Sequence, residues 1–187
     1  MRYFLIARRD RLYALITRWR IHRQDGRCGA GLRIRGGLPH ILNKGCLKLG
    51  DMVRIRNEPA AVRLRTAAGG EIILGNEVSL NTGVILFSAA SIQVGDATRI
   101  GDNTSLFDTS FHAVHEGHQT RARPIRIGRN VWIGRNAIIL PGITIGDHSV
   151  IAAGSVVFDD VPARQVWRGN PAMFVKHVRA TDNFKRI

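Results

Sequence analysis

A six-residue rhythm governs most of this chain. From Ile127 it reads IGRNVW, IGRNAI, ILPGIT, IGDHSV, IAAGSV, VFDDVP. A large aliphatic opens each hexad: Ile127, Ile133, Ile139, Ile145, Ile151 and Val157. The fifth place holds Val131, Ala137, Ile143, Ser149, Ser155 and Val161, and glycine holds the second at Gly128, Gly134 and Gly146. The same phase is present earlier, from Val94, Ile100 and Leu106, from Leu74, Leu80 and Leu86, and from Leu49. A repeat of six fits neither the α-helical period nor the period of a long strand. It fits three short strands that close one triangular coil, with the first and fifth places facing inward. Glycine, Asn or Asp beside the aliphatic suits the tight turns, where permissive backbone angles are needed. Stacked coils then share a continuous aliphatic core and bond to one another through the main chain. The expected fold is all-β, a parallel β-helix.

The rhythm breaks once. The stretch FDTSFHAVHEGHQTRARPIRIG, from Phe107 to Gly128, holds His112, His115 and His118. A loop leaving a stacked coil can reach a neighbour without disturbing the core, and loops on rigid scaffolds are where chemistry concentrates. Imidazole is the side chain whose ordinary titration range brackets neutrality, so it can take a proton from a hydroxyl. His112 follows Asp108 by four positions, and a carboxylate can fix an imidazole's tautomer. Asp108 is expected either to orient His112 or to serve its own turn as a turn aspartate, and His115 and His118 to be solvated or to touch substrate.

The stretch PIRIGRNVWIGRNAIILPGITIGDHSVIAAGSVVFDDVPARQVWRGNPAMFVK, residues 124–176, closely resembles the hexapeptide-repeat acyltransferases, in their galactoside/maltose/capsule O-acetyltransferase branch. The resemblance is specific over residues 94–176, weaker over 49–81, and does not reach residues 1–30. It implies a left-handed parallel β-helix, a homotrimer with active sites at the clefts between subunits, and acetyl-CoA as donor. The sequence HAVH matches the family's catalytic loop at His112, which implies a general base for a sugar hydroxyl. Asn81 matches an asparagine that contacts the acceptor sugar, and Trp132 a tryptophan beside the cleft. On the donor side Ala153 matches a main-chain contact, Lys176 a basic residue near the nucleotide phosphates, and Arg135 stands where the galactoside enzyme has a serine contacting the cofactor. The chain departs from the family at Phe158 and Asp159, where Thr-Lys is frequent, and at Met173, where a basic residue is frequent. Zinc is the rival use of three histidines. Carbonic anhydrases of this fold take a ligand from an earlier coil, and His22, His40, His148 and His177 all lie outside the coils just before Asp108, so no metal is expected.

The first 30 residues read as a separate element. Leu12, Leu15, Ile16 and Trp19 recur at helical spacing among Arg11, Arg18 and Arg20, which predicts a basic amphipathic helix. It either packs on its own domain or lies in an anionic membrane interface. Arginines cut its apolar run short of the ~20 residues a membrane span needs, and no signal-peptide cleavage pattern follows. The expected organisation is helix and linker over 1–30, the β-helix over 31–167 with its loop at 112–124, and a tail over 168–187. The net charge of +14 calls for an anionic partner. LRIR, VRIR and VRLR, beginning at Leu32, Val53 and Val62, would turn arginines outward toward a membrane, glycolipid or polysaccharide. Few aromatics and no nucleic-acid motif argue against nucleic acid. Cys28 and Cys46 form no framework. The expectation is a cytoplasmic, membrane-peripheral acetyl-CoA-dependent O-acetyltransferase with a saccharide acceptor, acting in cell-surface polysaccharide or lipopolysaccharide assembly. The alternatives are a soluble sugar or xenobiotic acetyltransferase and a non-catalytic β-helix scaffold.

Overall fold

The computed structural model describes residues 2–113, 115–117 and 119–186, with side chains from Arg8 onward. His118 therefore lies outside the described residues. After one helix, α1 (Arg2–Arg23), short strands wind in threes. The first coil is β1 (Arg27–Cys28), β2 (Arg33–Arg35) and β3 (His40–Asn43), and the second is β4 (Cys46–Leu49), β5 (Arg54–Arg56) and β6 (Arg63–Thr66). The third is β7 (Glu71–Leu74), β8 (Ser79–Leu80) and β9 (Ile85–Ser88), and the fourth is β10 (Ser91–Val94), β11 (Arg99–Ile100) and β12 (Ser105–Phe107). The fifth is β13 (Ile125–Ile127), β14 (Trp132–Ile133) and β15 (Ile138–Ile139), and the sixth is β16 (Thr144–Ile145), β17 (Val150–Ile151) and β18 (Val156–Val157). A terminal hairpin, β19 (Gln165–Gly169) and β20 (Ala172–His177), follows.

Every third strand falls on one face. Face A is β1-β4-β7-β10-β13-β16, face B is β2-β5-β8-β11-β14-β17-β19-β20, and face C is β3-β6-β9-β12-β15-β18. The pairing is parallel throughout, except for the antiparallel β19–β20 hairpin. The result is a left-handed β-helix of about six turns.

The hexad explains the core. Leu80, Leu86, Ile133, Ile139, Ile145, Ile151 and Val157 in the first place are fully buried, as are Val131, Ala137, Ser149 and Ser155 in the fifth. Burying each large aliphatic contributes about 1.5–3 kcal/mol. Hydroxyls in the fifth place tie one coil to the next: Thr98 donates to the Gly128 carbonyl at 2.8 Å and accepts the Val131 N–H at 3.0 Å.

The turns correct one sequence inference. Permissive angles are required in the fourth place of the hexad, where Asn103, Asn130, Asn136 and His148 have φ between 51° and 62°. Gly134, in the second place, is instead held by close approach, because a Cβ there would lie 2.5 Å from the Ala153 nitrogen of the next coil.

Helix α1 packs on all three strands of the first coil and so closes the end of the solenoid. Thr17 and Ile21 are its buried line, with Tyr13 and Ala14 partly buried. Asp25 takes a left-handed conformation (φ 56°), and Gly26 N–H caps the Ile21 carbonyl at 2.9 Å, which ends the helix. The linker is short, since β1 already belongs to the first coil. No described helix is long and apolar enough to cross a membrane.

Candidate active site

Asn81, Arg135 and Ala153 stand on one edge of the prism, in the turns that lead from face B to face C. They come from the third, fifth and sixth coils, so Asn81 and Ala153 are about 14 Å apart along the axis. Arg135 and Ala153 belong to adjacent, directly stacked turns: Gly154 N–H donates to the Arg135 carbonyl at 2.8 Å. The Arg135 guanidinium is exposed and pairs with Asp102 at 3.5 Å. Lys176 lies beyond the sixth coil, exposed on β20 opposite Val166, which pairs with Val150, so it stands over face B beside that edge.

Beside that edge, face B carries a cleft of about 570 Å³, lined by Ser79, Asn81, Arg99, Gly101, Trp132 and residues 184–186. Trp132 is half exposed there. The Asn81 side chain has no hydrogen-bond partner among the described residues and is free to meet a ligand.

One wall of this cleft is absent from the sequence reading. The C-terminal tail runs back along the edge between faces A and B and meets the fourth-place residue of successive coils. Arg164 Nε donates to the Ala180 carbonyl at 3.0 Å, and Arg129 donates to the Asp182 carbonyl at 2.8 Å. Asn130 Nδ2 donates to the Phe184 carbonyl at 2.7 Å while Asn130 Oδ1 accepts the Arg186 N–H at 2.9 Å. Arg99 reaches the Arg186 carbonyl at 3.0 Å, and Lys185 pairs with Glu77. No repeat or motif marks residues 178–186, so only the fold brings them to the cleft.

His112 lies elsewhere. The excursion leaves face C after β12 and returns at β13 on face A. Phe111 packs on Phe87 and Phe107 with ring centroids 4.8 and 5.7 Å apart, which fixes the loop's departure on the outer surface of face C. His112 follows, exposed, with its N–H donated to the Ser110 carbonyl at 2.7 Å. His115 is also exposed. Among the described residues no hydrogen bond or ring contact joins His112 to Asn81, Trp132, Arg135, Ala153 or Lys176. The width of face C, roughly five extended residues or about 16 Å, separates it from their edge.

Asp108 does not orient His112. It is fully buried, and its carboxylate accepts the Ser88 hydroxyl at 2.7 Å and the N–H groups of Ala89 and Ala90 at 2.7 and 2.9 Å. A buried carboxylate satisfies its lone pairs with the nearest donors, and here these belong to the turn below it. Among the described residues no group of three or more His, Cys, Asp or Glu is arranged to hold a metal.

Residues 124–159 match the family model of the bacterial transferase hexapeptide (six repeats). The chain is 37% identical over 120 residues to galactoside O-acetyltransferase of Escherichia coli (strain K12), covering 61% of this chain and 58% of that one. It also resembles the solved structure of a hexapeptide-repeat-containing acetyltransferase of Vibrio cholerae O1 biovar eltor complexed with acetyl-CoA. That likeness has a TM-score of 0.55 and 35% identity, covering 58% of this chain and 61% of that one. A galactoside acetyltransferase in complex with coenzyme A matches with a TM-score of 0.59 and 26% identity, over 86% of this chain and 72% of that one. The chain thus spans about three fifths of the length of the galactoside enzyme and of the Vibrio structure. Repeat, fold and relatives agree: the chain is a hexapeptide-repeat β-helix similar to acetyltransferases that carry this repeat, galactoside O-acetyltransferase among them.

Proposed function

We propose that this protein transfers an acetyl group from acetyl-CoA to a saccharide hydroxyl, as a homotrimer whose active sites lie between subunits. The observation that carries this reading is the separation of His112 from the ligand-facing edge. One protomer offers a base on a projecting loop and, a face away, a cleft with an unpartnered amide and an exposed tryptophan. A neighbour's loop would supply the base to that cleft. The donor fits the same edge. Small residues at Ala152, Ala153 and Gly154 leave backbone open to a pantetheine arm, and Arg135 and Lys176 are exposed cations for its phosphates.

In the reaction, an His112 ring nitrogen takes the proton of the sugar hydroxyl as that oxygen attacks the thioester carbonyl. The C–O bond forms, the C–S bond breaks, and the imidazolium returns its proton to the departing thiolate. General-base assistance of this kind contributes about 10²–10⁴-fold. Holding both substrates in one cleft lets transfer proceed without an acyl-enzyme.

The acceptor class rests on Asn81 and Trp132, an amide and a ring suited to sugar hydroxyls and sugar faces, and on the relative's galactoside. The basic cap favours a setting at the inner face of the membrane, in the assembly of cell-surface polysaccharide or lipopolysaccharide. The test is thiol release from acetyl-CoA against a panel of mono- and oligosaccharides. Release that needs an acceptor and falls at least 100-fold in His112→Ala supports the reading. Unchanged release in His112→Ala would remove that residue from the mechanism, and no binding of acetyl-CoA would overturn the donor.

A further inference from the structure

The helical cap breaks a rule of solenoids: a terminal cap needs a polar outer face to stay soluble. While Thr17 and Ile21 of α1 face the first coil, Leu12, Leu15 and Trp19 are 53, 66 and 57% exposed. Steps of three and four residues align them in one stripe on the helix surface.

Charge is polarised toward the same end. Residues 1–66 hold 16 of the 28 basic residues and only 4 of the 14 acidic ones, which is +12 of the net +14. Arg33 stands in register beside Arg54, and Arg35 beside Arg56, on parallel neighbouring strands. Like charges in adjacent register destabilise a sheet, and none of these four is in an ion pair among the described residues. Basic grooves also flank the helix. One, of about 620 Å³, is lined by Arg11, Leu15, Arg18, Arg33 and Arg35, with Asp10 as its one carboxylate. The other, of about 450 Å³, is lined by Arg20, His40, Arg63 and Arg65 and has no carboxylate. Arg18 is committed to the fold, since it donates to the Cys28 and Gly29 carbonyls at 3.2 and 2.9 Å. Arg11, Arg20, Arg33, Arg35, Arg63 and Arg65 form no ion pair among the described residues.

We propose that this end of the solenoid docks on an anionic lipid bilayer. Leu12, Leu15 and Trp19 enter the interface, and the arginines beside the helix take the headgroup phosphates. An apolar stripe bordered by cations is the chemistry that an anionic interface accepts. The next coil lies only ~5 Å from the first, so its arginines also reach toward the headgroups. Docking on the cap stands the solenoid upright, with the His112 loop about 15 Å above the first coil. This inference gives a surface to the membrane setting proposed above, and it does not depend on acetyl transfer.

The test is co-sedimentation of the full chain with phosphatidylcholine vesicles, with and without about one third phosphatidylglycerol. Binding is expected only to the anionic vesicles, weakening as salt rises. The triple variant Leu12→Ser, Leu15→Ser, Trp19→Ser should lose at least about tenfold in binding. The double variant Arg33→Gln, Arg35→Gln should lose about fivefold per arginine. All five side chains are exposed, so neither variant should melt below wild type by circular dichroism, and the arginine variant, relieved of like-charge repulsion, should melt at or slightly above it. Undiminished vesicle binding by the triple variant would mean a general polyanion surface and overturn the proposal. So would a wild-type self-association that the triple variant abolishes without any lipid binding, because a second copy would then be the occupant. Thiol release with a soluble acceptor is read separately, so failure here leaves the enzymatic reading standing.

Discussion

Asp108 Oδ2 accepts the Ser88 hydroxyl at 2.7 Å, with both residues closed to solvent. The Asp108 carbonyl accepts the Arg123 N–H at 2.7 Å, just before the chain returns to face A. One residue thus locks the turn of the third coil and pins the root of the loop that carries His112. Asp108→Ala would strand one hydroxyl and two N–H groups, at a cost of about 3 kcal/mol or more. Asp108→Asn keeps the shape and should cost less. Urea denaturation measures both. If Asp108 acts only through the loop root, its variants should lower kcat without moving the pH profile of the reaction.

The solenoid was legible because a period of six admits few solutions and was repeated many times. The inward aliphatics from Leu74 onward are buried as the hexad predicts. The roles of Asp108 and the tail were not legible, for different reasons. Asp108 is four residues from His112 in the chain, but stacking brings Ser88, Ala89 and Ala90 to its carboxylate. The tail has no periodicity, and its partners Asn130 and His148 read as ordinary turn residues in the fourth place of their hexads. Sequence spacing conveys neighbours along the chain, whereas stacking makes neighbours of residues about twenty apart.

Gly134 tests the close-approach explanation of the second hexad place. Its φ is ordinary, so alanine meets no backbone-angle penalty there, but the new Cβ would lie 2.5 Å from backbone nitrogen. Gly134→Ala should therefore cost about 1–3 kcal/mol and displace Ala153. The expected signature is a raised KM for acetyl-CoA with the acceptor KM unchanged. Gly154, where φ is 70° and the space beside it is open, should cost stability through backbone strain alone.

His148 links the tail to pH. Its ring is buried, and burial first, then the cations Arg129 and Arg164 and last Arg186, hold its pKa below the ordinary value, with Asp147 opposing them. The hydrogen-bond pattern agrees. Asn130 must present its oxygen to the Arg186 N–H and its NH₂ to the Phe184 carbonyl, so that NH₂ also faces His148 Nδ1 at 2.9 Å. Nδ1 is then an acceptor and the ring is neutral. The unfolded chain protonates near ~6.5 while the folded chain resists, so stability falls as pH drops below that value and levels off below the folded pKa. Thermal melts between neutral pH and pH 5 should show the loss, with faster proteolysis of residues 178–186. His148→Asn should flatten the dependence.

The division of the site between subunits has its own test. His112→Ala removes the base, and the pair Asn81→Ala, Trp132→Ala removes the cleft contacts, so each variant alone should be nearly inactive at low acceptor concentration. Co-expressed in equal amounts, they should assemble at random. Where the cleft variant's His112 meets the intact cleft of a His112→Ala neighbour, a complete site forms. Roughly a quarter of the interfaces in a cyclic trimer would be of that kind, so about a quarter of wild-type activity should return. A site held within one protomer would stay broken in every subunit of the mixture. Absence of recovered activity in mixed trimers, verified by a tag on each variant, would thus return His112 and the cleft to the same chain and require the loop to fold back across face C.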